Sequence, residues 1–132
     1  MFRRKTKSLP DWPVEYPAGT FVSTPRGYFY IVSPSKRYRI LSERVLNSWS
    51  PQRVVETTEA AVSKYRITAK MKFRNGSLIH NIANGRIYLI ESGERRHVTS
   101  PDVLERIGAT GKDVVTVSVD ELLLHEEGEE IK

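Results

Sequence analysis

Three histidines, His80, His97 and His125, are the side chains best suited to proton transfer or metal binding, yet they stand 17 and 28 positions apart. No His-Glu-x-x-His pattern brings two of them onto one helix face, and no acidic ligand sits beside any of them at metal spacing. Cysteine is absent, which removes thiolate metal sites, disulfides and thiol nucleophiles. No serine lies in Gly-x-Ser-x-Gly, and "ATGK" (Ala109–Lys112) lacks the spacing of a phosphate-cradling loop. The sequence therefore points away from an enzyme: no catalytic residue, no metal site and no cofactor is expected.

Binding chemistry is better represented. "SKRYRI" interleaves Lys36, Arg37 and Arg39 with Tyr38, close to the aromatic run "YFY". Cations that neutralise phosphates and rings that stack bases are the ingredients of single-strand nucleic-acid binding. A solvated hairpin face is the plainer reading of the same residues. A second candidate is the opening stretch, "MFRRKTKSLPDWPVEYPA", where Phe2, Arg3, Arg4, Lys5, Trp12 and Tyr16 combine charge with apolar anchors. Its three prolines favour an extended arm over a helix. The anchors lie either on the protein's own core or on a neighbouring subunit.

Charge is unevenly distributed. Residues 1–74 carry 15 Lys/Arg against 5 Asp/Glu, and residues 75–132 carry 6 against 11. Such polarity steers acidic partners to one end and basic partners to the other, and head-to-tail self-assembly would use both. Glu126, Glu127, Glu129 and Glu130 form an acidic run that reads as a solvated tail. The longest apolar runs, such as Phe29–Val32 and Ile87–Ile90, span about four residues, far below the roughly 20 of a membrane helix. No apolar stretch follows the basic Met1–Lys7, so neither a membrane contact nor a secretory signal is expected.

The elements that must position these residues come twice. At an offset of 58, Gly27, Tyr30, Arg37, Ser42, Val45 and Leu46 recur as Gly85, Tyr88, Arg95, Ser100, Val103 and Leu104. With one- or two-residue adjustments, "GTFV" (Gly19–Val22) matches "GSLI" (Gly76–Ile79), and "VVETT" (Val54–Thr58) matches "VVTVS" (Val114–Ser118). Each copy reads as a short strand, a second strand ("YFYIV", "RIYLI"), a turn ("SPSK", "ESGE") and a third strand ("RYRIL", "RRHVT"). Ser42 and Ser100 then cap a helix whose apolar stripe is Val45, Leu46 and Trp49, or Val103, Leu104 and Ile107. Gly108 is the helix stop in the second copy, and Pro51 must serve in the first. A fourth extended segment and a weak helical turn, capped by Thr58 or Ser118, close the copy. The fold class is thus α+β: two tandem β-β-β-α-β repeats, residues 19–75 and 76–132, packed together behind an arm of residues 1–18. Units this short bury marginal cores alone, which argues for packing on one another.

The second copy resembles a module that recurs in phage tail and other virion-associated proteins and in some bacterial surface proteins. The matching residues are Gly76–Ile79, Tyr88–Ile90, Gly93, Arg95–Arg96, Val98, Ser100–Leu104, Gly108, Val114–Ser118, Glu121–Leu122 and Gly128. The first copy lacks the turn glycine and the Ser-Pro pair. The resemblance implies a structural adaptor of a bacteriophage virion, in tail, baseplate or head-tail neck, assembled in the host cytoplasm. Its partners would be other virion proteins and copies of itself, tied by the arm. A nucleic-acid-binding module using Lys36, Arg37, Tyr38 and Arg39, and a cell-surface or wall-polymer binding module, are the alternatives.

Overall fold

The structure is a computed structural model that describes residues 16–132. In the first unit, β1 (Thr20–Ser23), β2 (Phe29–Ser33) and β3 (Lys36–Ile40) form an antiparallel meander. Helix α1 (Glu43–Ser48) follows, and β4 (Val55–Glu56) returns parallel to β1. Helix α2 (Glu59–Val62) leads to β5 (Arg66–Lys70), which runs parallel to β3 and completes a sheet of order β4-β1-β2-β3-β5. The second unit repeats this path with β6 (Leu78–Asn81), β7 (Arg86–Glu91), β8 (Glu94–Val98), α3 (Pro101–Arg106), β9 (Val114–Val117) and α4 (Val119–Leu122), giving the order β8-β7-β6-β9. The α+β class with two repeated units is as the sequence indicates.

Strand register fixes the equivalence residue by residue. Val22 faces Tyr30 and Val55, and Ile79 faces Tyr88 and Val115. The adjusted alignment of "GTFV" with "GSLI" is therefore the structural one. Each helix begins where a hydroxyl accepts an otherwise orphaned N–H: Ser42 from Val45, Ser100 from Val103, Thr58 from Ala61 and Ser118 from Glu121.

Two left-handed positions differ from the sequence reading. After α1 it is Ser50, at φ +46°, that takes the place of Gly108 at φ +85°; Pro51 only follows a helix already ended. In the β2–β3 turn Ser35 (φ +62°) takes the place of Gly93 (φ +78°). Copy one therefore places serine, which lacks glycine's freedom, at both left-handed positions, and its hairpin turn differs in kind, since Pro34 holds negative φ where Ser92 is at +53°.

Three apolar clusters show how the units stack. Val22, Tyr30, Val32, Val62 and Tyr65 form the outer core of the first unit, and Leu78, Val98 and Val103 that of the second. Between them, Ile40, Val45 and Leu46 from the first unit meet Phe73, Ile79, Tyr88, Ile90, Val117 and Leu122. Tyr30 is thus in an outer core and its equivalent Tyr88 in the shared one, while Ile40 and its equivalent Val98 are placed the other way round. The units are stacked in the same sense, front of one against back of the next. Ile79, Ile90 and Val45 are completely buried in this shared layer, each contributing about 2 kcal/mol that a lone unit would forgo.

Tyr16 belongs to this repeat and not to a free arm. Its backbone N–H donates to the Tyr65 hydroxyl (2.9 Å), its own hydroxyl donates to Thr57 Oγ1 (2.7 Å), and the two rings stack with centroids 6.4 Å apart. Phe73, 57 positions later, does the same with His125, its N–H donating to Nε2 at 3.1 Å and the rings 5.9 Å apart. The structural unit therefore starts at the aromatic, three residues before Gly19 or Gly76. Phe2, Arg3, Arg4, Lys5 and Trp12 lie outside the described residues.

Candidate functional site: a basic strand pair

Strand β3 carries Lys36, Arg37, Tyr38 and Arg39 in the sheet interior, between β2 and β5. Side chains alternate along a strand, so Arg37 and Arg39 share one face with Tyr30, while Lys36 and Tyr38 share the other with Ile40. The Arg37 guanidinium stacks 4.7 Å above the Tyr30 ring and that of Arg39 4.8 Å above Tyr28. Such cation–π contacts hold the two guanidinium groups over the aromatic rings of the sheet.

The parallel partner β5 adds more cations in register. Lys36 lies opposite Arg66 and Arg39 opposite Lys70, with Thr68 as the extra residue at a shift between Arg37 and Tyr38. Like charges directly opposite one another destabilise a sheet. Among the described residues, Lys36, Arg37, Arg39, Arg66 and Lys70 have no carboxylate within ion-pair distance. Every residue of β5 is exposed. The strand is held in place through its C-terminal neighbours: Met71 N–H donates to Arg39 O (2.7 Å), Trp49 Nε1 donates to Lys72 O (2.9 Å), and Phe73 is buried in the shared core.

At the same place in the second unit the charges are reversed. The equivalents of Lys36, Arg66 and Lys70 are Glu94, Glu126 and Glu130. The acidic stretch, which reads as a solvated tail, is in fact laid along β8. Arg95 N–H donates to Glu126 O, Gly128 N–H to Arg95 O and Ile131 N–H to His97 O, with parallel bridges from Arg95 to Glu127 and Val98 to Ile131. Glu127 pairs with Arg86 at 3.9 Å, Glu130 lies 3.6 Å from the His97 ring, and Arg96 Nε donates to Glu129 O at 2.9 Å.

Two further polar residues are buried, Glu121 between the units and His125 within the second, and sequence reasoning gave neither a role. Glu121 is buried on α4, yet its carboxylate accepts from Arg44 Nη2 (2.7 Å), Ser42 Oγ (2.5 Å) and Ser118 N–H (2.8 Å). Burial alone would raise its pKa, but Arg44, the Ser118 N–H and the two serine hydroxyls outweigh it and hold the group at about 2. The sequence signal was the capping box Ser118-x-x-Glu121; the reach across to α1 has no local signature. His125 is buried, with Nδ1–H donating to Gly93 O (2.7 Å) while Nε2 accepts from Phe73. Burial, helped by the nearby Lys72 and Arg95 charges, lowers its pKa, and the Gly93 carbonyl opposes this. The neutral Nδ1–H tautomer is the form that satisfies both bonds. His80 and His97 lie on β6 and β8, apart from it.

Of the sequence-selected residues, Lys36, Arg37, Tyr38 and Arg39 are thus brought together and enlarged by Arg66 and Lys70, whereas Tyr16 is engaged within its own unit. No protein-family model matches the sequence, nor does any curated protein. Among solved structures, the periplasmic assembly from the ESX-5 inner membrane complex is similar over 98% of this chain and 42% of its own, at 11% identity and a TM-score of 0.34. The chain spans less than half the length of that neighbour.

Proposed function

We propose that the chain is a structural adaptor of a bacteriophage virion, in tail, baseplate or neck, that holds an anionic partner on the β3–β5 strand pair. One observation carries the reading. Five cations, two pairs of them directly opposed across strands, have no carboxylate within ion-pair distance among the described residues, while in the second unit the equivalent segment is acidic and its Glu127 pairs with Arg86. A sheet that retains repulsive pairs is suited to a partner that relieves them. The sequence resemblance to virion-associated modules supplies the setting. Phe2, Arg3, Arg4, Lys5 and Trp12 are assigned to anchoring on neighbouring subunits.

The test is sedimentation of phage lysates with detection of the chain in gradient-purified particles. The chain is expected to travel with particles. Removal of residues 1–15, stopping short of the core residue Tyr16, or joint reversal of Arg66 and Lys70 to Glu should leave it folded at the top of the gradient. Wild-type chain absent from particles would overturn the proposal.

A further inference from the structure

We infer that the outer edge of β5 is the docking line for an acidic, extended segment of a partner protein; this rests on the adaptor reading and names the partner's chemistry. Among the described residues strand β5 ends its sheet, with no further strand paired to its outer row of backbone N–H and C=O groups, and all five of its residues are exposed. Exposed edges invite another strand, and edge cations exclude neutral or basic ones. Among strands, an acidic one is admitted.

The placement of the charges separates a peptide from a nucleic acid. Lys36 and Arg66 lie on one face of the sheet, and Arg39 and Lys70 on the other. A duplex or a stacked single strand approaches from one face, whereas an extended peptide alongside β5 presents alternate side chains to both. The two cation pairs are three residues apart along β3, about 10 Å at strand rise, which matches carboxylates at i and i+3 on opposite faces. Two of the rings that bases would stack on are engaged by arginine: Arg37 lies over Tyr30, which is 5% exposed, and Arg39 over Tyr28, leaving Tyr38 half-buried on the opposite face.

The second unit shows that this scaffold accepts an acidic extended segment: its own Glu126–Ile131, the counterpart of β5, runs parallel to β8. In the first unit that track is filled by basic β5, so an acidic strand from a partner would lie beyond β5, along its exposed edge.

Fluorescence anisotropy of the full chain with a labelled peptide HEEGEEIK, its Glu→Gln analogue and an oligothymidylate tests this. The acidic peptide should bind, weaken steeply with salt, and lose about tenfold or more in affinity when its glutamates become glutamine or when Arg66 and Lys70 are both reversed to Glu. The reversed variant should melt no lower than wild type, because each reversed residue then faces a cation, Lys36 or Arg39. If it does melt lower, the salt dependence and the Gln analogue decide on wild-type protein alone. Equal binding of both peptides, salt-independent binding, or no binding overturns the inference; so does tighter, variant-sensitive binding of the oligonucleotide, which would assign the edge to phosphates. Peptide binding that fails while the chain still travels with particles removes this partner chemistry and leaves the adaptor reading; the opposite pair of results removes the adaptor reading.

Discussion

The hairpin edges β3–β5 and β8 with its acidic companion segment are one scaffold carrying opposite electrostatics. Their buried letters correspond, Tyr30 with Tyr88, Val32 with Ile90 and Ile40 with Val98, because each must fill a packed layer. Their exposed letters diverge, Lys36 against Glu94, Arg66 against Glu126 and Lys70 against Glu130. The second unit pairs part of its charge internally, Arg86 with Glu127 and Arg96 with Glu91, whereas the β3–β5 cations of the first have no ion pair among the described residues. Packing sets the repeat, and the freedom of solvent-facing positions is where the two copies acquired different roles.

The joint between the units offers the largest way to break this comparison. Glu121→Ala leaves Arg44, Ser42 and the Ser118 N–H without their acceptor, and should cost about 3 kcal/mol in urea unfolding at neutral pH. Glu121 titrates at about 2 when folded against an ordinary value near 4.5. Its contribution is therefore fully present above 4.5 and lost as pH falls toward 2, so the gap between variant and wild type should shrink over that window. Next comes the pin that the first unit builds from Tyr65 and the second from His125. His125→Phe removes the acceptor of the Phe73 N–H and should cost about 1–2 kcal/mol by the same assay. The unfolded imidazole protonates near 6.5 and the folded one only below that, so wild-type stability should fall as pH drops through 6.5, and this slope should diminish in the variant.

Smaller effects sharpen the comparison. Gly108→Ala forces a Cβ into the left-handed position that Ser50 already occupies in the first unit, and should lower stability by about 1 kcal/mol in thermal melts. Lys36→Glu, which gives the first unit the charge found in the second, should raise stability by about 0.5 kcal/mol by replacing a repulsive pair with an attractive one opposite Arg66. A variant that is more stable yet binds less is the signature of a site kept for function.

Much of this architecture was legible in the sequence because it is local. Ser42, Ser100, Thr58 and Ser118 announce helix starts through side chains that reach three residues ahead, and the aromatic and β-branched runs at Phe29–Val32 and Ile87–Ile90 announce strands. Strand β5 was not legible: "RITAK" has no alternation of buried and exposed residues, since the structure exposes all of it. Nor was the acidic run at Glu126–Glu130, whose docking along β8 is made mainly by backbone groups that composition does not reveal. Four of the six candidate-site residues, Lys36 to Arg39, could be singled out from their types; Arg66 and Lys70 join them only through a long-range parallel pairing. Tyr16 was read with the arm because its partner Tyr65 is 49 positions away, and the likeness to Phe73 and His125 lies in geometry and not in residue type.

The most direct test of the open edge is a backbone-amide NMR titration of the full chain with the acidic peptide HEEGEEIK. Shifts confined to residues 36–39 and 66–72 are expected, with the amides of β8 and residues 126–131 unmoved. Perturbation centred on β8, or none at residues 66–70, would contradict the assignment of β5 as the docking edge.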